Sequence, residues 1–494
     1  MTDSPIVARI KRFFPHSPTT DQAAALESLA DFLASREADS AFLLRGYAGT
    51  GKSSLVAALV RMLDELKQPV VLLAPTGRAA RRLALYAAHP AYTIHKIIYR
   101  QKAFSGFENP FDLQPNLRKH TLFLVDEASM IASGLSSADA AFGSGRLLDD
   151  LIRFVYAGEG CRLLLTGDSA QLPPVGGTRS PALDEEELRA YGLQTGTSEL
   201  TQVVRQESES GILWNATLLR RYIAEAKDPS RLRLRATGFA DIIPLPGNEL
   251  IEALAESYAR EGEEETIVLT RSNRRAVLYN QGIRRTILDL EEELCSGDRI
   301  MIARNHYYDT EEDVPPAQAT PATPNRQPGT EARQKKMDFL ANGDIAIVRR
   351  VRRERELYGF RFADVTISFP DYHDEERDEI LLLDTLAAET PALSREDQEK
   401  LFQAVLEDYA DLPRKADRMK QLRENPYYNA LQAKYGYAVT CHKAQGGQWA
   451  HVYLDAGYLP PEQLTPDYLR WLYTAVTRAT KRLYLINYPS DKLQ

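Results

Sequence analysis

An apolar strand that breaks into glycines and reopens as a helix leaves a chain few ways to fold. Residues 41–66 read AFLLRGYAGTGKSSLVAALVRMLDEL. Gly46, Gly49 and Gly51 let the backbone curl so that successive N–H groups point at one anion. The helix that follows, from Lys52 to about Leu66, puts Leu55, Val56, Leu59, Val60 and Leu63 on one face. Its positive end faces the same anion. The spacing G-x-x-x-x-G-K-[ST] suits nucleotide phosphates: Lys52 reaches the terminal ones and the Ser53 hydroxyl ligates Mg²⁺. Ala48, Thr50 and Ser54 complete the expected nucleotide-binding set.

Further apolar runs end in polar residues: PVVLLAPTG, TLFLVDEAS and CRLLLTGDS, then ETIVLTRSN, HVYLDAG and KRLYLINY, with helical patterns near 249–260 and 273–288. They read as buried parallel strands, whose carboxyl ends collect ligand groups. Two α/β sheets are therefore expected in one chain. The length of 494 residues and a hydrophobic content of 44% can core two or more domains. No stretch is apolar and long enough for a signal peptide or a bilayer span, and Cys161, Cys295 and Cys441 lack metal-ligand spacing. A cytoplasmic protein with free thiols, and no membrane partner, is the expectation. A net charge of −8 excludes a generally basic surface but not one basic groove for nucleic acid. Arginines gather at 78, 81 and 82, at 271, 274 and 275, and in RRVRRER at 349–355; each group taken singly reads first as a solvated face, with phosphate contact the alternative.

At the strand ends, Asp126 in LVDEASM is placed to hold Mg²⁺, Glu127 to polarise an attacking water, and Gln171 in TGDSAQLPP to sense a γ-phosphate. With these, GYAGTGKS, APTGRAA, TIHKIIY, VDEASM, GDSAQLPPV, LTQVVRQ, YAVTCHKAQG and YTAVTRA stand in the order of the superfamily-one helicase motifs. The set resembles the RecD/Dda branch and runs from TTDQ at Thr19 to the last strand. The resemblance implies an α/β protein with two RecA-like P-loop domains closing on ATP. A small pin would be inserted in the first and an SH3-like and helical insertion in the second. It implies domains over 1–200, over 201–310 with 436–494, and an inserted 311–435. By the same resemblance Gln22 reads adenine, and Arg205 and Arg478 are arginine fingers that stabilise the transferring phosphoryl group when the cleft is shut. Gln445 and Gly446 link the γ-phosphate to the DNA groove. Thr76, Thr93, His95, Thr440 and His442 match its DNA-contacting positions. Plain buried histidines are the alternative reading of His95 and His442.

The third motif continues LPPVGG where the UvrD/Rep branch has an aromatic–arginine pair. That favours the 5′-to-3′ branch and argues against base stacking by this motif. The chain starts just before TTDQ, so a stand-alone, Dda-like helicase is expected rather than a nuclease subunit. Single-stranded DNA and its junctions with duplex are the expected partners, with the protein acting as a monomer and protein partners left open. Between about 100 and 120, Phe104, Phe107 and Phe111 flank a glycine and a proline, as a strand-parting hairpin tip would. They read equally as cover for the first domain's edge. Residues 311–336 are proline-rich and nearly free of large apolar side chains, so a disordered loop is expected. Beyond it GDIAIVRRVRR and GFRFADVTISF alternate as a small barrel does, and Ser394 with Asp397 heads a helix as a capping box. The alternatives are an RNA-directed helicase of the same superfamily and a nucleic-acid-binding regulatory ATPase subunit. An unrelated P-loop kinase is disfavoured by the arginine motifs and HKAQG.

Overall fold

A computed structural model of the chain describes residues 4–35, 37–101, 111–135, 142–203, 210–307, 339–372, 374–458 and 460–494. The expected loop at 311–336, together with Phe104, Phe107 and Arg205, lies outside the described residues.

The apolar runs form strands because both their faces are covered. Along β1 (Ser40–Gly46), Phe42 and Leu44 share a cluster with Leu122, Leu124 and Leu164. Leu43 turns to the opposite cluster with Phe123, Val125, Leu163 and Leu165. Those partners belong to β6 (Leu122–Val125) and β7 (Arg162–Gly167). With β2 (Val70–Ala74), β3 (Ala91–Thr93) and β8 (Gln194–Leu200) they make a six-stranded parallel sheet in the order β3-β2-β6-β7-β1-β8. The ends of β1, β6 and β7 lie side by side, which brings the glycine loop, Asp126 and Asp168 to one edge. A short antiparallel hairpin, β4 (Tyr99–Gln101) with β5 (Phe111–Leu113), projects between β3 and β6 in the sequence.

A second parallel sheet has five strands. β9 is Ile242–Leu245 and β10 is Thr266–Thr270; after the barrel come β18 (Ala438–Thr440), β19 (Trp449–Leu454) and β20 (Ala479–Ile486), in the order β18-β10-β19-β20-β9. The two sheets do not have wholly separate cores. Ala170 and Leu172, at the edge of the first, are buried in one cluster with Ile212, Trp449 and Leu472 of the second lobe.

The insertion is a closed barrel of β11 (Arg299–Ile302), β14 (Ile345–Leu357), β15 (Phe360–Phe369), β16 (Glu375–Leu382) and β17 (Leu431–Tyr435), beside a pairing of β12 (His306–Tyr307) with β13 (Phe339–Leu340). The expected start of the insertion at 311 is thus too late, because β11 precedes it. Four residues, RIMI, are too short to show an alternation, yet Ile300 and Ile302 fill the barrel with Val348, Val365 and Leu381. The same cluster holds Val268 and Tyr453 of the second sheet, so barrel and sheet are packed as one. The helices Arg395–Glu407 and Lys415–Glu424 cover Phe360 and Phe362 at its end.

The expected capping box at Ser394 forms by half. The Asp397 N–H donates to Ser394 Oγ at 3.1 Å, but the Asp397 carboxylate accepts from the Ser394 hydroxyl at 2.6 Å rather than from a backbone N–H. In RRVRRER, Arg349 and Arg352 lie 3.8 and 2.7 Å from Asp374 and Asp378, and Arg355 is paired with Asp364. Those three arginines serve the barrel's own surface. Among the described residues no helix is long and apolar enough to cross a membrane.

Candidate nucleotide site and nucleic-acid interface

The glycine loop leaves β1 with Gly49 and Gly51 at φ +78° and +80°, the left-handed region that favours glycine. Gly51 is the cap of the helix Lys52–Glu65, whose first N–H groups are left for an outside acceptor. The Lys52 ammonium folds back on its own loop, donating to the carbonyls of Gly46 and Tyr47. Gln22 is 3% exposed: its Oε1 accepts the Thr19 N–H at 3.0 Å and its Nε2 donates to the Thr50 carbonyl at 2.9 Å. The expected adenine reader is therefore also a brace between its own helix start and the loop. Beside it Asp21, absent from the sequence-based candidates, accepts from the Thr201 hydroxyl and from the N–H groups of Thr201 and Gln202 at 2.6–3.0 Å. Those bonds, the hydroxyl's first, hold its carboxyl below the usual carboxylate range.

Asp126 and Glu127 follow β6. Glu127 has φ +52°, a strained conformation for a side chain of its size. Burial, then the Glu127 charge, pushes the Asp126 carboxyl above its ordinary range, although Tyr86 donates its hydroxyl to Oδ2 at 2.5 Å. Asp168, 1% exposed, is raised by burial too, while the nearby Lys52 ammonium draws it down. Gln171 is 5% exposed, and its Oε1 has no hydrogen-bond partner among the described residues. A buried carboxamide oxygen left orphaned is costly. It lies in the first-lobe segment that packs against the second lobe, where a water or Mg²⁺ ligand at a terminal phosphate would satisfy it. Gln171, Lys52, Ser53 and Asp126 thus suit a Mg²⁺–triphosphate.

From the second lobe, Arg478 enters the cleft with 2% exposure. Its guanidinium donates to the carbonyls of Thr474 and Gly447 and to the Thr477 hydroxyl at 3.0–3.1 Å. Burial lowers its proton affinity, and the Glu127 carboxylate across the cleft counters that most strongly. Gln445 donates to the Leu172 carbonyl at 2.9 Å, tying HKAQG to GDSAQL. Gly446, at φ +77°, packs on the first lobe so closely that a Cβ there would stand 2.9 Å from the Ala79 Cβ. Arg82 donates to the Gly446 carbonyl, and Arg78 lies 4.1 Å over the Trp449 ring.

The expected DNA-contacting residues divide. Thr76 caps the helix Gly77–Ala87 and Thr93 caps Ile94–Ile98, each hydroxyl accepting a backbone N–H at 3.3 Å. Thr440 ends β18, and His442 is exposed one turn on. His95 is different: 8% exposed, it packs edge-on to Phe142 at 4.8 Å. Phe111 is not at a hairpin tip either. It begins β5 with its ring stacked 4.7 Å from the same Phe142, so it belongs to the first lobe's cover. Neither ring is free to meet a base as placed. The sequence-based set also lacked Asp168, Tyr86 and Tyr473, whose neighbours come from distant segments; only the acid in TGDS gave a local signal for the first.

Comparisons with known proteins concern these same segments. The family described as an AAA domain matches residues 18–228, and the UvrD-like helicase C-terminal domain matches residues 435–486. The ATP-dependent RecD2 DNA helicase of Deinococcus radiodurans is 32% identical over 215 residues, 43% of this chain and 25% of its own length. The ATP-dependent DNA helicase Pif1 of Bdellovibrio bacteriovorus is 34% identical over 159 residues, 31% of this chain and 32% of its own. The chain therefore matches between a quarter and a third of these two relatives. A Pif1 helicase from Bacteroides, in complex with ADP-AlF3 and ssDNA, aligns over 97% of this chain and 94% of its own with a TM-score of 0.45 at 14% identity.

Proposed function

We propose that this chain, which belongs to the RecD/Pif1/Dda-like helicases of superfamily one, is an ATP-dependent DNA helicase that moves 5′ to 3′ along a single strand. The observation that carries the reading is the cleft. Arg478 comes from the other lobe within electrostatic reach of Glu127 and Asp168, Lys52 acts on that same Asp168, and the Gln171 oxygen three residues on is left unsatisfied. Charge on a transferring phosphoryl group is stabilised by Arg478 only while the lobes are together. A cross-cleft arginine of this type is worth about 10³–10⁵ in rate where measured. Closure then promotes hydrolysis, and loss of the γ-phosphate removes the reason for closure.

Each residue has a part in that cycle. Lys52 leaves its loop carbonyls for the β- and γ-phosphates. Ser53 and Asp126 would hold Mg²⁺, which offsets phosphate charge, and Glu127 takes a proton from the attacking water. Gln171 and Gln445, on either side of Leu172, relay the nucleotide state to the second lobe. Arg205 supplies a second finger in this reading, and Gln22 and the glycine loop hold the nucleotide. Thr76, Thr93, Thr440 and His442 position the DNA backbone without reading sequence. Phe104 and Phe107 are the proposed parting residues: an aromatic stack of about 1–3 kcal/mol offsets the roughly 1.4 kcal/mol of opening a DNA step. A wedge of that strength holds a junction but does not advance it, so ATP supplies the work.

The test is unwinding of duplexes with either a 5′ or a 3′ single-stranded tail, in DNA and RNA versions, with Lys52→Ala as control. Unwinding from the 5′-tailed DNA alone, abolished in Lys52→Ala, is expected. Unwinding only from the 3′ tail, or only of RNA, overturns the assignment.

A further inference from the structure

Tyr473 belongs to the second-lobe helix Pro466–Val476, yet its hydroxyl is bonded to two first-lobe groups. It accepts the Ala48 N–H of the glycine loop at 3.0 Å and donates to Asp168 Oδ2 at 2.6 Å. The ring is 1% exposed and Asp168 equally so, which leaves no room for water to replace either partner. Asp168 is braced from its other oxygen, Oδ1, by the Ala170 N–H at 2.9 Å. The next residue on the helix repeats the crossing, with Thr474 Oγ1 accepting the Leu172 N–H at 2.9 Å. Arg470, one turn earlier, donates to the Ser169 carbonyl. Segment 168–172 of the first lobe is thus fastened to one helix of the second.

The Ala48 amide has a competing use. It belongs to the glycine loop expected to turn its N–H groups to a bound phosphate, and one N–H serves one strong acceptor well. Burial and the Asp168 charge keep the phenol protonated and hence a donor to Asp168. When an anion takes the Ala48 N–H, Tyr473 loses one of its two holds on the first lobe. Arg478 lies five residues on, just past the end of this helix, and its guanidinium donates back to the helix's Thr474 carbonyl at 3.0 Å, so it moves with it.

We propose that Tyr473 is a positioning residue for hydrolysis, its hydroxyl coupling occupancy of the glycine loop to the placement of Arg478. The inference rests on the helicase reading for its kinetic readout, but its binding readout does not.

The experiment compares the full chain with Tyr473→Phe, Arg478→Ala and the double variant. Affinity for a fluorescent ATP analogue is measured without DNA, and kcat and KM for ATP with and without an oligodeoxythymidine. Tyr473→Phe frees the Ala48 amide, so nucleotide should bind about two- to tenfold tighter, the range of one neutral hydrogen bond. The DNA-stimulated kcat should fall about tenfold or more with no rise in KM. In the Arg478→Ala background, Tyr473→Phe should lower kcat no further, since the two act through one step. Unchanged affinity with an unchanged stimulated kcat overturns the proposal, and so does an equal fold-loss in both backgrounds. If Tyr473→Phe loses its cooperative melt, Thr474→Val carries the same expected split of kcat from KM, and its absence has the same force. A wild-type ATPase indifferent to DNA defeats the helicase reading alone, and the affinity comparison then decides the role of Tyr473.

Discussion

Asp126 and Asp168 sit where their charges are disfavoured, and the site keeps them. Burial raises the folded-state pKa of each above its ordinary value. A carboxyl raised on folding contributes stability below its unfolded pKa, and that contribution is lost as pH rises through the folded pKa. At neutral pH without nucleotide, both therefore weaken the fold. Asp126→Asn removes one such charge and keeps an acceptor for the Tyr86 hydroxyl. Its nucleotide-free melting temperature should rise by about 2–4 °C at pH 7, the equivalent of roughly 1 kcal/mol in a domain of this size. The gain should shrink as pH falls through the raised folded-state pKa of the wild-type carboxyl, and ATP hydrolysis should be lost throughout. Melts from pH 4 to 8 decide it; an equal or lower melting temperature at pH 7 counts against the electrostatic account. At this scale the residues legible in the sequence were those whose roles are local, Lys52 on its loop and Asp126 on its strand end. Tyr473 and Asp168 lie 305 residues apart, and only the assembled cleft makes them partners.

Elements differ in the same way. β1, β6 and β7 stood out because both faces are buried, which demands an unbroken apolar run. β8, QTGTSEL, gave no such signal, being a sheet edge with mostly half-buried side chains. β11 was too short to alternate. The hairpin β4–β5 was expected to carry three equivalent phenylalanines, and the placement of Phe111 separates them. Phe111, stacked on Phe142, contributes to stability. Its replacement by alanine should lower the melting temperature by the equivalent of about 1–3 kcal/mol, less than a fully buried Phe would, and leave ATP hydrolysis per folded molecule unchanged. The double variant Phe104→Ala/Phe107→Ala should keep its DNA-stimulated ATPase per folded molecule, with unwinding reduced severalfold. Unwinding assays and thermal melts on the two variants separate the roles. Undiminished unwinding in the double variant would remove the hairpin from strand separation.

At the scale of the whole molecule, three bodies meet over the start of one helix, Gly77–Ala87. Thr76 caps it, Gly446 of the second lobe packs against Ala79, and the barrel's turn at Ala341–Asp344 covers Gly77. A Cβ on Gly77 would lie 2.1 Å from Asp344 Oδ1 and 3.0 Å from the Ala341 Cβ. The carboxylate is not free to swing aside, since Oδ2 accepts both the Ala341 N–H and the Tyr372 hydroxyl at 2.8 Å. In an interior packed this closely, Gly77→Ala forces the barrel back from the first lobe by about 1 Å or more. The expected cost is about 1–3 kcal/mol of docking, the usual size of an overpacking penalty. Fluorescence energy transfer between dyes on the barrel and on the first lobe should fall. Asp344→Ala in the same chain should restore part of the transfer by removing the obstruction, a non-additive pair because the residues touch. Unaltered transfer in Gly77→Ala would mean that the barrel yields within itself rather than moving as a body. A motor that swings its barrel against the first lobe would then need another pivot.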